Sequence, residues 1–454
     1  MIKYRLILGI IVLTFLSETV NAQFDSTGIY SKYKETVLKI FKAANADSSA
    51  WEQLAYMCDT YGPRLSGSEG LEKSLDFMYE QMKKDGLQNV KKEEVIVPKW
   101  IRGKEYCEMI SPRNVKLHML GLGGSAGTSK DGIIAEIVSI KNYDELEKRK
   151  DEIKGKIVLY NEPYLNYGQA VAYRWSGAVR AAQYGAVASL CRSVSPIGMQ
   201  APHTGSIMPY PDTIPKIPHA ALSHEDADMI GRMINRGQNV KVKLYMEAST
   251  MPDVLSFNVI GEIKGTEKPE EIIAIGGHSD SWDVGTGAQD DASGCFATWK
   301  ALKVLNDLGL KPKRTIRSVM WVNEENGLQG GKTYAEKHKD EKHVLLFEFD
   351  SGVFPPGEFG VNGTDSVFYK AKSIEKVLNE IGKISVKKGA WGIDAGQLAD
   401  MNNIPLMHIN TEDDGKYFWY HHSETDMPDK INPKDLNDCI AAIAAMIYIY
   451  ADLP

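Results

Sequence analysis

The segment IIAIGGHSDSWDVGTGAQDDASG, residues 272–294, decides how the whole chain is read. Ile272 to Gly276 is an unbroken apolar run, the pattern of a strand buried on both faces. It empties into His278-Ser279-Asp280-Ser281-Trp282-Asp283, after which Cys295, Trp299, Leu302 and Leu305 mark a helix. The alternation continues downstream. Strand-like runs at Ile316 to Val322, Val344 to Phe349 and Ile404 to Ile409 take turns with helical patterns at Leu328 to Lys337 and Ser366 to Ile381. A closing helix opens at Asn432-Pro433 and carries Leu436, Ile440, Ile443 and Ile447 on one stripe. This order predicts an α/β fold with a mostly parallel central sheet and helices on both faces.

Towards the N-terminus, Thr36 to Ala44 reads as helical. Gly70 to Asp85 places Leu71, Leu75, Met78 and Met82 on one helix face before a glycine stop at Gly86. Asn89 to Val97 alternates as a strand that Pro98 is expected to end. Between about residues 115 and 248 the texture turns β-rich, with short runs at 132–140, 156–160, 186–190 and 240–246 around one helical segment, Gly177 to Tyr184. The expected organisation is therefore a discontinuous α/β domain, 23–114 and 249–454, interrupted by an inserted β-rich domain, 115–248.

Residues 1–22 read as a cleaved secretory signal. Lys3 and Arg5 precede an apolar run from Leu6 to Leu16, and Val20-Asn21-Ala22 offers the small-residue cleavage site. The apolar run is too short to span a bilayer, so an exported protein, periplasmic or extracellular, with no membrane span is expected. The 454 residues carry 53 Lys and Arg against 60 Asp and Glu, a formal charge of −7, with 43% hydrophobic residues. That composition excludes disorder, and without basic runs interleaved with aromatics it argues against a nucleic-acid partner. Cys58, Cys107, Cys191, Cys295 and Cys439 are scattered, with no CxxC pair, and read mostly as buried thiols.

Chemistry in an open α/β sheet gathers where strands end, because the loops there converge on a crevice. Three strand ends are acidic here: the 277–283 stretch with Asp290-Asp291 behind it, Asn323-Glu324-Glu325-Asn326, and Asp350. Crowded carboxylates repel unless a cation lies among them, and imidazole with carboxylate is a ligand set that zinc prefers. If His278 binds a metal through one ring nitrogen, Asp280 is placed to accept a hydrogen bond from the other. Asp290 follows a glycine-rich return loop, although either Asp290 or Asp291 also suits a helix cap. Glu324 and Glu325, being adjacent, face different sides of an extended loop, which suits one ligand and one general base. His421 and His422 are the chain's adjacent histidines and supply a further imidazole.

In this order and framing, His278, Asp290, Glu324-Glu325, Asp350 and the Tyr-His-His-Ser frame at 420–423 resemble the dizinc aminopeptidase and carboxypeptidase family. Gly62-Pro63-Arg64-Leu65-Ser66-Gly67 is similar to the segment opening that family's peptidase domain, and Gly155-Lys156-Ile157-Val158 with Tyr184-Gly185-Ala186-Val187 resembles an inserted protease-associated domain. The resemblance implies two zinc ions bridged by Asp290, with His278 and Asp350 on one and Glu325 and His422 on the other. His421 is the alternative to His422. It also implies Glu324 as general base, Asp280 beside it in the catalytic set, a peptide substrate with unblocked termini, and a homodimer. A broad aminopeptidase, a glutaminyl-cyclase-like acyltransferase and a non-catalytic receptor-like protein are the competing readings. Gly123-Gly124-Ser125-Ala126-Gly127 matches a serine-hydrolase elbow in form, but the turn-rich stretch that follows reads as a loop.

Overall fold

A computed structural model describes residues 25–454, so the signal expected at residues 1–22 lies outside the described residues. Across the first sheet the strands are Gln88–Ile101, Ser249–Ile263, Arg314–Trp321, Lys268–His278, Lys342–Glu348, Leu406–Thr411, Pro356–Val361 and Ser385–Lys388. The four that begin at Arg314, Lys268, Lys342 and Leu406 run parallel. Antiparallel pairs flank them on both sides, so the sheet is mixed, with a parallel centre.

Side chains alternate across each central strand. Ile273 and Ile275 point into one core, with Trp299, Leu302 and Leu305 of the helix Ser293–Asp307 and with Ile440, Ile443 and Ile447 of Pro433–Asp452. Ala274 points the other way, into a smaller core with Tyr334 and Ala335 of Gln329–His338 and Leu398 of Asp394–Asn402. Burial on both faces explains the near-continuous apolar runs. Leu71, Leu75, Met78 and Met82 of Glu69–Lys84 are all buried in the larger core.

A second eight-stranded sheet is built from residues 105–246. It starts at Glu105, earlier than the expected 115, because Glu105–Ser111 pairs with Lys241–Met246. Its helices Tyr167–Ala182 and His224–Asn235 cover opposite faces. The first extends well upstream of the expected 177–184, and the second has no counterpart in the sequence reading. Pro98 does not end its strand. Gln88–Ile101 is an edge strand whose register shifts between Val97 and Lys99, which accommodates a residue without an N–H. The expected helix 366–381 breaks into Asp365–Lys372 and Glu375–Leu378.

All five cysteines are buried free thiols. Among the described residues no helix is long and apolar enough to cross a membrane. At Gly276 a Cβ would stand 1.9 Å from the Val319 carbonyl oxygen on the neighbouring strand. Gly276→Ala should therefore cost about 1–3 kcal/mol through overpacking, seen as a lower thermal midpoint by circular dichroism; an unchanged midpoint would show that the two strands can separate freely.

Candidate metal centre

The strands ending at His278, Trp321 and Glu348 are neighbours in the parallel centre, so their outgoing loops open on one crevice. His278 closes its own strand, Asn323 to Leu328 forms the next loop, and Asp350 follows the third. Asp290 returns to the same edge through a loop that turns at Gly285 and Gly287, with φ of 64° and 57°. Only glycine takes that conformation at little cost.

Asp290 divides its two carboxylate oxygens between two groups of side chains. Oδ1 lies 3.2 Å from His278 Nε2, which is itself 3.6 Å from Asp350 Oδ1. Oδ2 lies 3.3 Å from His422 Nε2, which is 3.0 Å from Glu325 Oε2. His421 Nε2 stands farther off, 3.8 Å from Asp290 Oδ2, and its ring stacks on that of His422. Glu324 lines the cavity in front of this group.

Three other aspartates use their oxygens on backbone. Asp280 accepts the N–H groups of Glu324 and Glu325 at 3.0 and 3.3 Å. Asp291 accepts those of His278 and Gly294, both at 3.0 Å, and so caps the following helix. Asp426 accepts those of Gln289 and Asp290 at 2.7 and 3.1 Å. The role expected of the Asp280 carboxylate is corrected by this. His278 Nδ1 donates to the Asp280 backbone carbonyl at 3.1 Å, while the carboxylate stands 3.8 Å away, drawn off by the two N–H groups of the neighbouring loop.

The second sheet contributes supports that sequence reasoning missed. Thr204 N–H donates to the His422 carbonyl at 2.8 Å, and His422 Nδ1 donates back to the Thr204 carbonyl at 3.2 Å. A carbonyl only accepts, so in the tautomer that this contact favours Nδ1 carries the proton and Nε2 presents its lone pair towards Asp290 and Glu325, while Arg174 Nη1, itself a donor, stands 3.3 Å from the same Nδ1. This pairing also holds His422 at φ 61°, a left-handed conformation uncommon for histidine. Ser206 Oγ donates to the Glu325 carbonyl at 2.6 Å. No periodicity or motif marks these residues. Arg64 faces inward, its guanidinium spent on the carbonyls of Ser279, Thr286 and Gly287. Ser125 is buried, accepts the His219 N–H at 2.8 Å and lies in a loop, so no hydrolase elbow exists there.

The electrostatics of this group fit a metal. Burial pushes the Asp290 carboxyl up, and burial with the Asp290 charge pushes Glu325 well up. Burial raises Glu324 to about 8, with His278 pulling it down and Asp350, Asp280 and Asp290 adding to the rise. Burial, reinforced by His421 and Arg174, holds His422 far below the usual imidazole range, the neutral form a ligand needs. Asp290 Oδ2 and Glu325 Oε1 are buried with no hydrogen-bond partner. Divalent charge among these groups would reverse the carboxylate shifts and give the orphaned oxygens a partner, and the nitrogen and oxygen donors suit zinc. The triads His278, Asp290, Glu325 and Asp290, His421, His422 each bring their donor atoms within 4.8 Å of one another. A cavity of about 730 Å³ opens onto the group, lined from the first sheet by Glu324, Asp350 and Trp391 and from the second by Tyr167, Arg174 and Ser206.

The model of Peptidase family M28 matches residues 258–447. Carboxypeptidase Q of Mus musculus is 42% identical over 93% of this chain and 90% of its own length. A peptidase M28 precursor of Shewanella amazonensis superposes with a TM-score of 0.88 at 33% identity, covering 93% of this chain and 97% of that one. BSAP, a zinc aminopeptidase from Bacillus subtilis, shares the fold at a TM-score of 0.66 and 19% identity, covering 89% of this chain and 97% of its own. Adding zinc to chelator-stripped protein should raise its thermal midpoint, by about 2.7 kcal/mol of stabilisation at a hundredfold excess over Kd; a midpoint indifferent to zinc would rule out a metal at this group.

Proposed function

The chain belongs to peptidase family M28, and from that membership we propose that it is a zinc-dependent metallo-exopeptidase hydrolysing dipeptides or short peptides with unblocked termini. The observation that carries this reading is the division of the Asp290 oxygens between two imidazole and carboxylate pairs. In it Asp290 would be shared between two zinc ions, with His278 and Asp350 the residues that would hold one and Glu325 and His422 those that would hold the other. His422 is preferred to His421 because its Nε2 approaches both Asp290 and Glu325 and its other nitrogen is already committed to Thr204. With this donor set complete, a receptor-like protein that has lost its site is disfavoured.

When bound, the zinc pair supplies Lewis acidity that activates water and polarises the scissile carbonyl. The chain's own part is positional and acid–base. Glu324, facing the cavity, takes a proton from the attacking water and passes it to the leaving amine. Asp280 fixes the backbone of Glu324 and Glu325 together, so that base and ligand keep a constant separation.

The second sheet is read as a protease-associated domain, its expected 115–248 segment extended to include the strand from Glu105. Export, resting on residues 1–22, and a homodimer, resting on family resemblance, complete the proposal.

Glu324→Gln should retain both zinc ions while kcat on an unblocked dipeptide falls about 10²- to 10⁴-fold; near-normal turnover with zinc bound would remove Glu324 from the base role. Ser206→Ala should weaken one of the two zinc sites by about 10- to 100-fold, read by chelator competition, and unaltered affinity at both would show that the Glu325 loop needs no support from the second sheet.

A further inference from the structure

Residues 193–218 run from the strand Ala188–Arg192 to the strand His219–Leu222 of the second sheet without forming a helix or strand of their own, yet they carry Thr204 and Ser206 to the metal centre. Loops of that length inside a compact domain are uncommon and usually functional. Downstream this strap is pinned by Gly123, whose N–H donates to the Gly205 carbonyl and whose carbonyl accepts the Ile207 N–H, both at 3.0 Å. Upstream, Met199 and Gln200 take φ of 71° and 58°, the one pair of successive non-glycine residues in the left-handed region among the described residues. Such a pair persists only where its surroundings impose it. The Met199 side chain, 80% exposed, gains little by packing there.

One carboxylate imposes the turn. Glu225, in the first turn of the helix His224–Asn235, accepts the Met199 N–H at 2.7 Å on Oε1 and the Gln200 N–H at 3.2 Å on Oε2. Two successive N–H groups thus converge on one anion. Ser223, which caps that helix, donates from Oγ to Gln200 Oε1 at 3.1 Å, and a Cβ at Gly198 would stand 2.3 Å from Glu225 Oε1, so the strap closes directly onto the carboxylate. The helix itself does not depend on this acid, because Asp226 beside it already serves the first turn. Thr204 lies between the two anchors, and its reciprocal bonds with His422 orient that ring. We propose that Glu225 is a positioning residue for the metal centre: by closing the left-handed turn at Met199–Gln200 it holds Thr204 against His422, and so sets the affinity of the zinc that His422 and Glu325 would hold. The inference rests on the zinc reading above.

The test compares the unaltered protein with Glu225→Gln, which keeps the shape of the side chain but turns one of its two acceptors into a donor. In zinc-free protein, amide hydrogen exchange read by mass spectrometry should rise at residues 196–206 and at 420–424 and stay unchanged across the helix 224–235. Chelator competition should show one zinc site weakened about 10-fold, the same one that Ser206→Ala weakens, with the other kept. Met199→Gly added to Glu225→Gln should recover most of that loss, since glycine takes the left-handed conformation without a clamp. The inference is overturned if Glu225→Gln leaves exchange at 420–424 and both zinc affinities unchanged, or if the added Met199→Gly restores nothing. Equal weakening of both sites together with a lower thermal midpoint would also overturn it, by showing that Glu225 serves the fold and not the site. Binding of fewer than two zinc ions by the unaltered protein would instead bring down the reading of the metal pair, and the inference with it.

Discussion

Like charge buried at one edge of a sheet is the constraint around which the rest of this structure is arranged. The carboxylates divide into two kinds by what their oxygens meet. Asp280, Asp291 and Asp426 each accept two backbone N–H groups, and those groups belong to or adjoin Glu325, His278 and Asp290. Asp290 and Glu325 instead keep a buried oxygen with no partner. One set of acids fixes the backbone, and the other is left with electron pairs for a cation. Because each backbone clamp grips a residue of the candidate ligand set, the donors are held in place by the fold before any ion arrives, which is what preorganisation of a charged site requires.

The same economy extends across the two sheets. Trp282, from the loop that follows His278, packs into a core of the second sheet, and its ring occupies the space a side chain at Gly123 would need. Arg102 pairs with Asp283 of that loop and also bonds Thr204. With the reciprocal bonds between Thr204 and His422, the second sheet is part of the site's wall and of its hydrogen-bonding frame. A cavity lined from both sides follows directly from that seam.

The strands were legible because burial on both faces leaves an apolar run, and the candidate donors because carboxylate and imidazole recur at successive strand ends. The atoms they employ were not. That the Asp280 backbone, and not its carboxylate, meets His278 depends on where the loop at 323–328 falls, a contact between segments more than forty residues apart in sequence. The approach of His422 and the retreat of His421 depend on a left-handed turn stabilised by Thr204, which no local pattern announces. Pro98 misled for a similar reason, since its effect depends on whether its strand lies at an edge.

The reciprocal bonds between Thr204 and His422 also govern when the site comes into being. Its supports reach from Arg64 through Ser206 to Asp426, and each secures a segment far removed in the chain. Pairings of such long sequence separation form late, after local helices and hairpins, because loop closure must come first. A chain still emerging from the ribosome therefore holds ligands without the frame that aligns them.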